Sequence, residues 1–183
     1  GATKSVSTAA DFQKAIASTQ PGDTIVLAGG TFDLKGTVTI TKSGRTGQPI
    51  VLKSRVRNGA QFTGGSRFVL ESVAHIIIEG FDFRSTEGPA IEMRACNNIR
   101  VTRNIFHLID TKRTSWIFIN GSEQNPAALS HHNRIDHNLF EKKSQLGNFI
   151  TVEGTRNGGL QVSQYDTIDH NHFRDIGPRV ENV

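Results

Sequence analysis

The chain has 183 residues, 36% of them hydrophobic and 21% charged, which is the composition of one globular domain with a hydrophobic core. It contains no run near the roughly 20 apolar residues that cross a bilayer, and its one cysteine, Cys96, excludes an internal disulfide, a cysteine zinc cluster and a cysteine redox motif. Its 21 lysines and arginines exceed its 17 aspartates and glutamates by a net charge of +4, which favours an anionic partner through long-range attraction.

The first predicted element is a short amphipathic helix over residues 7–18, with a hydroxyl N-cap and Asp11 in its first turn. Pro21-Gly22-Asp23 ends this helix, and residues 24–28 are predicted to be the first strand. The first coil of a solenoid exposes a strand edge and an apolar interior. We therefore interpret residues 1–22 as a cap and residues 23–183 as the coils of a single domain.

An internal repeat occupies much of the remaining chain. In four segments an aliphatic residue stands five positions before a phenylalanine, and in the last three an asparagine stands two positions before it. The steps between the phenylalanines are 23, 34 and 33 residues, which indicates one short coil and two coils with insertions. The four segments are Ile78–Phe83, Val101–Phe106, Ile135–Phe140 and Ile168–Phe173.

The repeats indicate a β-solenoid, because its coils can lengthen at their loops without disturbing the stack. Apolar and polar residues alternate as in half-buried strands, and a second strand is predicted after each of three phenylalanines, at 90–93, 115–119 and 148–152. Asn104, Asn138 and Asn171 are predicted to form a ladder at a corner, because asparagine tolerates left-handed backbone geometry. The predicted fold is all-β, a right-handed parallel β-helix with a short N-terminal capping α-helix.

The last residues, Asp175–Val183, stop just after a repeat and contain no segment like the N-terminal cap. An open terminal coil would expose its strand edge and interior to water. We therefore expect the chain to be truncated at its C-terminus or to meet a partner there, either by self-association or through a complementing C-terminal chain.

Several segments resemble the polysaccharide lyases of family six, which include alginate lyases and chondroitinase B, and the resemblance runs through most of the chain. It implies a secreted or periplasmic enzyme that cleaves uronate polymers, alginate first among them, by β-elimination. Segments similar to the family's first coils are Pro49–Ser54, Phe62–Ser66 and Ile76–Phe83, and segments similar to its central coils are His132–Lys143 and Ile168–Phe173.

The resemblance also implies a calcium cofactor, because a cation on the substrate carboxylate stabilises the anion that proton removal creates. In the family, one Asn and two Glu of the next coil hold calcium, with a Lys as base and an Arg as acid. Asn182 stands where the calcium Asn is expected, although Val183 follows it in place of the usual Gly-Gly-Glu. The alternative is that Asn182 is a solvated terminal residue that binds no metal. The other residues would lie beyond Val183, so no catalytic residue is assigned and this chain alone is expected to be inactive.

Basic side chains are the predicted contacts for a polyanion, since each uronate presents one carboxylate. Lys142, Lys143 and Arg156 lie in or after the third repeat, at the expected border of a groove, and Lys143 also matches the family's Lys after Asn-x-Phe-x-x. The alternative for each of the three residues is a positive charge that faces water and contacts no substrate. Trp116, the only tryptophan, is either a sugar-stacking residue or a core residue.

The recurring pairs Asp136-His137 and Asp169-His170 are expected to stack one coil apart on the surface. Within each pair, neighbouring strand residues should point to opposite faces and so cannot share a ligand. The remaining histidines show no metal-ligand spacing, and no phosphate loop or nucleophile motif appears. These residues are therefore predicted to be structural.

Two classes of function fit the sequence. The first is the N-terminal part of a calcium-assisted lyase, and the second is a non-catalytic β-solenoid that binds anionic glycan or mediates assembly, with a pectin-type lyase or a glycosidase as a third reading of the same fold. An anionic polysaccharide is the expected partner, with neither nucleic acid nor membrane. The coding sequence past Val183 discriminates between the lyase and the non-catalytic solenoid. A Glu-x-Glu pair followed by Lys and Arg would support the lyase, and a stop codon would support the non-catalytic solenoid.

Overall fold

The computed structural model describes residues 1–109, 111–156 and 160–183, without the side chain of Arg156. In these ranges it contains the helix α1 (Ala9–Ala17) and 24 strands, numbered in chain order. Sheet A holds β1 (Thr3–Val6), β2 (Thr24–Leu27), β5 (Ile50–Ser54), β8 (Ala74–Glu79), β11 (Asn97–Thr102), β14 (Ser130–His131), β15 (Arg134–Asp136), β21 (Ser163–Gln164) and β22 (Thr167–Asp169).

Two further sheets complete each coil. Sheet B holds β3 (Gly30–Asp33), β6 (Ala60–Thr63), β9 (Asp82–Phe83), β12 (Ile105–Phe106), β16 (Leu139–Glu141) and β23 (His172–Arg174). Sheet C holds β4 (Thr37–Ile40), β7 (Arg67–Glu71), β10 (Ile91–Arg94), β13 (Ile117–Asn120) and β18 (Ile150–Val152). Two small pairs are β17 (Gly147–Asn148) with β24 (Val180–Glu181), and β19 (Thr155–Arg156) with β20 (Leu160–Gln161).

From β2 to β18 the chain passes from sheet A to sheet B to sheet C in each of five coils, and every strand of these sheets pairs in parallel with its counterpart one coil away. This arrangement confirms the predicted parallel β-helix. The strands predicted after the phenylalanines are confirmed as β10, β13 and β18. Each repeat spans a corner rather than one strand, because Ile78 lies in β8 and Phe83 in β9, with a turn at Gly80 (φ 75°) between them.

The aligned phenylalanines form one interior stack, as predicted. The rings of Phe83 and Phe106 lie 4.8 Å apart with planes 3° from parallel, and those of Phe106 and Phe140 lie 4.8 Å apart at 8°. Each such pair stabilises the fold by about 0.5–1.5 kcal/mol beyond the contribution of burying the rings. The register extends the stack to six coils, through Phe32, Phe62, Phe83, Phe106, Phe140 and Phe173.

A second column of aliphatic side chains runs along the inner face of sheet A. Successive coils align its members despite their different lengths, because the extra residues lie between strands, for example between β13 and β14. The sequence spacing of the repeats is therefore variable while the strand register is not. The column consists of Ile25, Leu52, Ile78, Val101, Ile135 and Ile168.

The asparagine ladder is present at the corner between sheets A and B. The Oδ1 of Asn138 accepts hydrogen bonds from the backbone N of Asn104 (2.9 Å) and from its Nδ2 (3.2 Å), while Asn171 does the same for Asn138 (3.0 and 3.1 Å). The expected left-handed geometry is displaced by one residue. It is adopted by the residue before each Asn, namely Arg103, His137 and His170, with φ of 54–57°.

The helix α1 covers the first coil, as predicted. Thr8 is its N-cap and accepts a hydrogen bond from the backbone N of Asp11 (3.1 Å), and the buried ring of Phe12 lies 5.9 Å from that of Phe62. The prediction that the first strand begins at Thr24 is wrong, because β1 precedes the helix and pairs with β2. Across the described residues, the structure shows no helix with the length and apolarity to cross a membrane.

Candidate functional site

Two of the predicted substrate-binding residues meet at the corner between sheets B and C. Lys142 and Lys143 follow β16, and a shallow depression of about 310 Å³ opens beside them. The backbone N of Gly177 donates to the carbonyl O of Lys143 (2.9 Å), which joins this coil to the next. The depression is lined by Lys142, Lys143, Ser144, Asp175, Ile176 and Gly177.

Lys142 presents its side chain to solvent. It has left-handed backbone geometry (φ 61°) and is exposed at the rim of the depression. Because its ammonium group is exposed, Lys142 can pair with a carboxylate of a polyanion without leaving a buried position. The binding role of Lys142 therefore stays a prediction that fits its position.

Lys143 lies beside the depression as expected, but the expectation that its side chain is exposed there is wrong, because the side chain is turned into the coil. Its side chain is 1% exposed, and its Nζ donates to the carbonyl O of Thr114 (2.8 Å) and lies 5.2 Å from the ring centroid of Trp116. The left-handed turn at Lys142 explains the difference, because the following residue is directed inward. Trp116 is fully buried, which supports its core alternative.

Of the other two predicted site residues, only Asn182 has a described side chain, and it is not among the residues that line the depression. Arg156 ends β19, and its side chain lies outside the described part of the structure. Asn182 is exposed beside β18, where its backbone carbonyl accepts a hydrogen bond from the N of Ile150 (3.1 Å). The metal role of Asn182 stays a prediction.

The residues around Asn182 do not by themselves fit a calcium ion. Calcium takes six to eight oxygen ligands, several of them usually carboxylates. Among the residues that the structure describes, no three His, Cys, Asp or Glu side chains lie close enough to hold a metal. Glu181, the adjacent acid, is exposed and pairs in register with Asn148.

The outer face of sheet A carries a ladder of ion pairs that the sequence reasoning missed. Arg100 donates from Nε (2.8 Å) and Nη2 (2.7 Å) to the two carboxylate oxygens of Asp136, whose side chain is fully buried. One coil further, Arg134 binds Asp169 in the same way (2.9 and 2.7 Å). Alignment of the coils could have revealed the pattern, because each arginine lies one coil before its aspartate and two positions earlier along the strand.

The two histidines stack as predicted, with ring centroids 4.9 Å apart and planes at 6°. The expectation that Asp and His point to opposite faces is wrong, because the Nδ1 atoms of His137 and His170 each lie 2.7 Å from the carboxylate of the preceding aspartate. The left-handed geometry of both histidines breaks the strand alternation and turns the neighbouring side chains together.

These contacts keep both aspartates ionised. Burial alone would raise the pKa of Asp136, but the hydrogen bonds from Arg100 and His137 outweigh burial and lower the pKa to about 2. Hydrogen bonds from Arg134 and then His170 hold the pKa of Asp169 well below its ordinary value. Carboxylates that are occupied in this way are structural, in agreement with the prediction for these pairs.

A second charged column crosses the end of sheet B. The Nδ1 of His107 lies 3.0 Å from the Nη1 of Arg84, and Arg174 binds the carboxylate of Glu141 (2.7 Å). Burial and then the charge of Arg84 lower the pKa of His107, so that its imidazole is neutral near pH 7. Arg84 also binds the carboxylate of Asp82 (3.2 Å), so each of the two described carboxylates of this column is held by an arginine.

Comparisons with known proteins identify relatives of this fold. The sequence model of the Chondroitinase B family matches residues 6–183. The solved polysaccharide lyase family 6 alginate lyase AlyGC is 25% identical, with a TM-score of 0.69 over 86% of this chain and 22% of that chain. No curated protein matches the chain.

Two further solved lyases support the fold. A mannuronic acid-specific family 6 lyase from human gut microbiota is 19% identical, with a TM-score of 0.79 over 99% of this chain and 44% of that one. The family 6 lyase Pedsa3628 from Pseudopedobacter saltans is 17% identical, with a TM-score of 0.72 over 94% and 38% of the two chains. The chain spans less than half the length of each of these relatives. Because the family model covers nearly all of its residues, the chain belongs to the Chondroitinase B family, in agreement with its resemblance to the polysaccharide lyases of family six.

Proposed function

We propose that the protein containing this chain is a polysaccharide lyase that cleaves uronate polymers, with alginate as its substrate. The family match over residues 6–183 is the observation that carries this proposal. The solved relative AlyGC, described as an alginate lyase, favours alginate over a sulfated glycosaminoglycan. The net charge of +4 and the exposed Lys142 suit a polyanionic substrate.

The proposal includes calcium assistance and a secreted or periplasmic location, both supported by the resemblance to family six. Asn182 would supply one oxygen to the ion, and the carboxylate ligands would have to come from outside residues 1–183. The base and the acid are expected outside residues 1–183, so the longer protein should be active and this chain alone should not. The depression beside Lys142 would then contribute to binding rather than to bond cleavage.

The direct test follows ultraviolet absorbance of the unsaturated ends that β-elimination creates. The chain and a version extended at its C-terminus are each mixed with mannuronate-rich alginate, guluronate-rich alginate and dermatan sulfate, with calcium or with a chelator. Calcium-dependent absorbance from the extended protein on alginate would support the proposal. Cleavage of dermatan sulfate alone would replace the substrate, and activity of residues 1–183 would show that the catalytic residues were misplaced.

The alternative of a non-catalytic β-solenoid has its own outcome in this test. An extended protein that binds alginate without cleaving it would overturn the lyase proposal in favour of glycan binding. Binding to immobilised alginate separates the two, because it is measured without turnover.

The role of Lys142 can be tested with a closely matched control. Lys142→Ala is expected to weaken alginate binding by about two- to fivefold, the effect of losing one exposed ion pair. Lys35 is also exposed, has φ 55° and follows a strand of sheet B, but it lies in the first coil. Lys35→Ala should leave binding unchanged. Equal losses in both variants would show that only total charge matters.

A further inference from the structure

Two adjacent histidines on the outer side of sheet A direct ring nitrogens at each other. His131 ends β14 and His132 follows it, and their Nδ1 atoms lie 2.8 Å apart. His132 has φ 54°, so the usual alternation of strand side chains is interrupted and both imidazoles stand on one side. His132 is exposed and His131 is half-buried, which leaves the pair accessible from solvent.

Two nitrogens at this distance hold either a shared proton or a shared cation. Neutral imidazole offers one lone pair in the plane of its ring and is a common ligand for transition metals. The two ring planes are nearly perpendicular, at 89°, with centroids 5.1 Å apart, so the two rings meet at the nitrogen edge without stacking on each other. In the metal-free state one Nδ1 donates its proton to the other, and release of that proton would leave two neighbouring nitrogens able to bind one ion.

The nitrogen separation selects among metals. With metal–nitrogen bonds of about 2.0 Å, a separation of 2.8 Å corresponds to an angle of about 90° at the metal. Tetrahedral zinc would need a separation of about 3.3 Å at the same bond length. An angle near 90° is that of neighbouring ligands in tetragonal coordination, the geometry of Cu(II), which also binds nitrogen ligands most tightly among the divalent first-row metals. We propose that His131 and His132 form a chelating site for Cu(II).

The stacked pair His137 and His170 lacks this geometry and provides an internal comparison. Each Nδ1 is already bound to an aspartate, and the ring planes are nearly parallel at 6°. Lone pairs in two parallel planes cannot converge on one ion. His170→Asn is therefore the matched control, since it removes an exposed histidine from the same sheet without touching the chelate.

The neighbouring Tyr165 supplies a local reporter. Its ring centroid lies 5.3 Å from that of His132, its side chain is 72% exposed, and it is the only tyrosine of the chain. A paramagnetic ion on His132 would quench tyrosine emission through this short distance. Trp116, the other fluorophore, is fully buried against Phe149 and should be affected less.

The test adds copper(II) chloride to the chain produced without a histidine tag. We expect one bound ion by calorimetry, an electron paramagnetic resonance spectrum with two nitrogen ligands, and quenched tyrosine emission. His131→Asn and His132→Asn should each lower the affinity at least as much as the roughly 10- to 100-fold loss caused by removing a supporting contact of a metal ligand. Asn tolerates the left-handed geometry at position 132, so the variant should keep the fold, which circular dichroism checks.

Several results would overturn the site. These are equal copper affinity in the wild type and in His132→Asn, loss of binding in His170→Asn, a spectrum with a single nitrogen ligand, or tighter binding of zinc chloride than of copper(II) chloride. Each is read without polysaccharide, so failure of the copper site and failure of the lyase proposal are distinguishable.

Discussion

Replacing Asn138 with alanine should lower the free energy of unfolding substantially. Asn138 is 2% exposed and is the middle member of the ladder. Its Oδ1 accepts from the backbone N of Asn104, and its Nδ2 donates to the carbonyl O of Val101 (2.9 Å) and to Oδ1 of Asn171. The substitution leaves a buried N–H and a buried C=O without these partners.

The magnitude follows from those two groups. A buried donor or acceptor that loses its partner costs about 1–3 kcal/mol, so Asn138→Ala should lower the free energy of unfolding by about 2–6 kcal/mol. The whole native state of a domain is worth only about 5–15 kcal/mol. Asn171→Ala should cost less, because Asn171 is only half-buried and water can reach the groups it leaves.

The assay is urea unfolding followed by far-ultraviolet circular dichroism, with the free energy extrapolated to water. Amide hydrogen exchange at Asn104 should accelerate in Asn138→Ala, since that N–H loses its acceptor. Asn125→Ala, in an exposed loop, is the control and should stay within about 0.5 kcal/mol of wild type. A loss in Asn138→Ala no larger than in this control would refute the view that the ladder holds the corner.

Three further outcomes are expected. Lys143→Ala should lower the free energy of unfolding by about 1–3 kcal/mol because its buried hydrogen bond to a backbone carbonyl is lost. Lys142→Ala should change it by less than about 0.5 kcal/mol. Equal unfolding curves for the two variants would show that the side chain of Lys143 is not buried. The pKa of Asp136 in the folded protein is about 2, below its ordinary value of 3.8. The ionised carboxylate therefore adds about 2 kcal/mol to the free energy of unfolding above pH 4, and this contribution is lost as the pH falls toward 2. The free energy of unfolding of Asp136→Asn, which lacks the group, should fall less steeply in acid. Burial raises the pKa of Cys96 to about 11, so a thiol reagent at pH 8 should label the protein in urea and leave the native state unlabelled.

The interior could be predicted from the sequence because a solenoid repeats one constraint in every coil. A side chain such as Phe106 must match the rings above and below it, so the same residue type recurs at the same place and the spacing exposes the fold. The terminal strand β1 escaped this reasoning because it is a single short segment outside the repeat, and only its pairing with β2 defines it.

The corners could not be predicted in the same way. Left-handed geometry falls on Arg103 and Lys142, residue types that do not signal it, because the solenoid imposes the turn regardless of local preference. The inward direction of Lys143 and the convergence of His131 and His132 both follow from such residues. The alternation of side chains along a strand does not apply where the backbone turns to positive φ. The sequence therefore predicted the direction of side chains in the candidate site less well than in the core.

The segment between β13 and β14 has a consequence for how such proteins diversify. The equivalent connection one coil earlier takes two residues, 95–96, whereas this one takes nine, 121–129, yet the strands on either side keep their partners. An engineer could graft a foreign peptide or a reporter tag at this position and expect the tube to tolerate it. Evolution has the same freedom, since surface novelty can accumulate there while the hydrophobic scaffold is inherited intact.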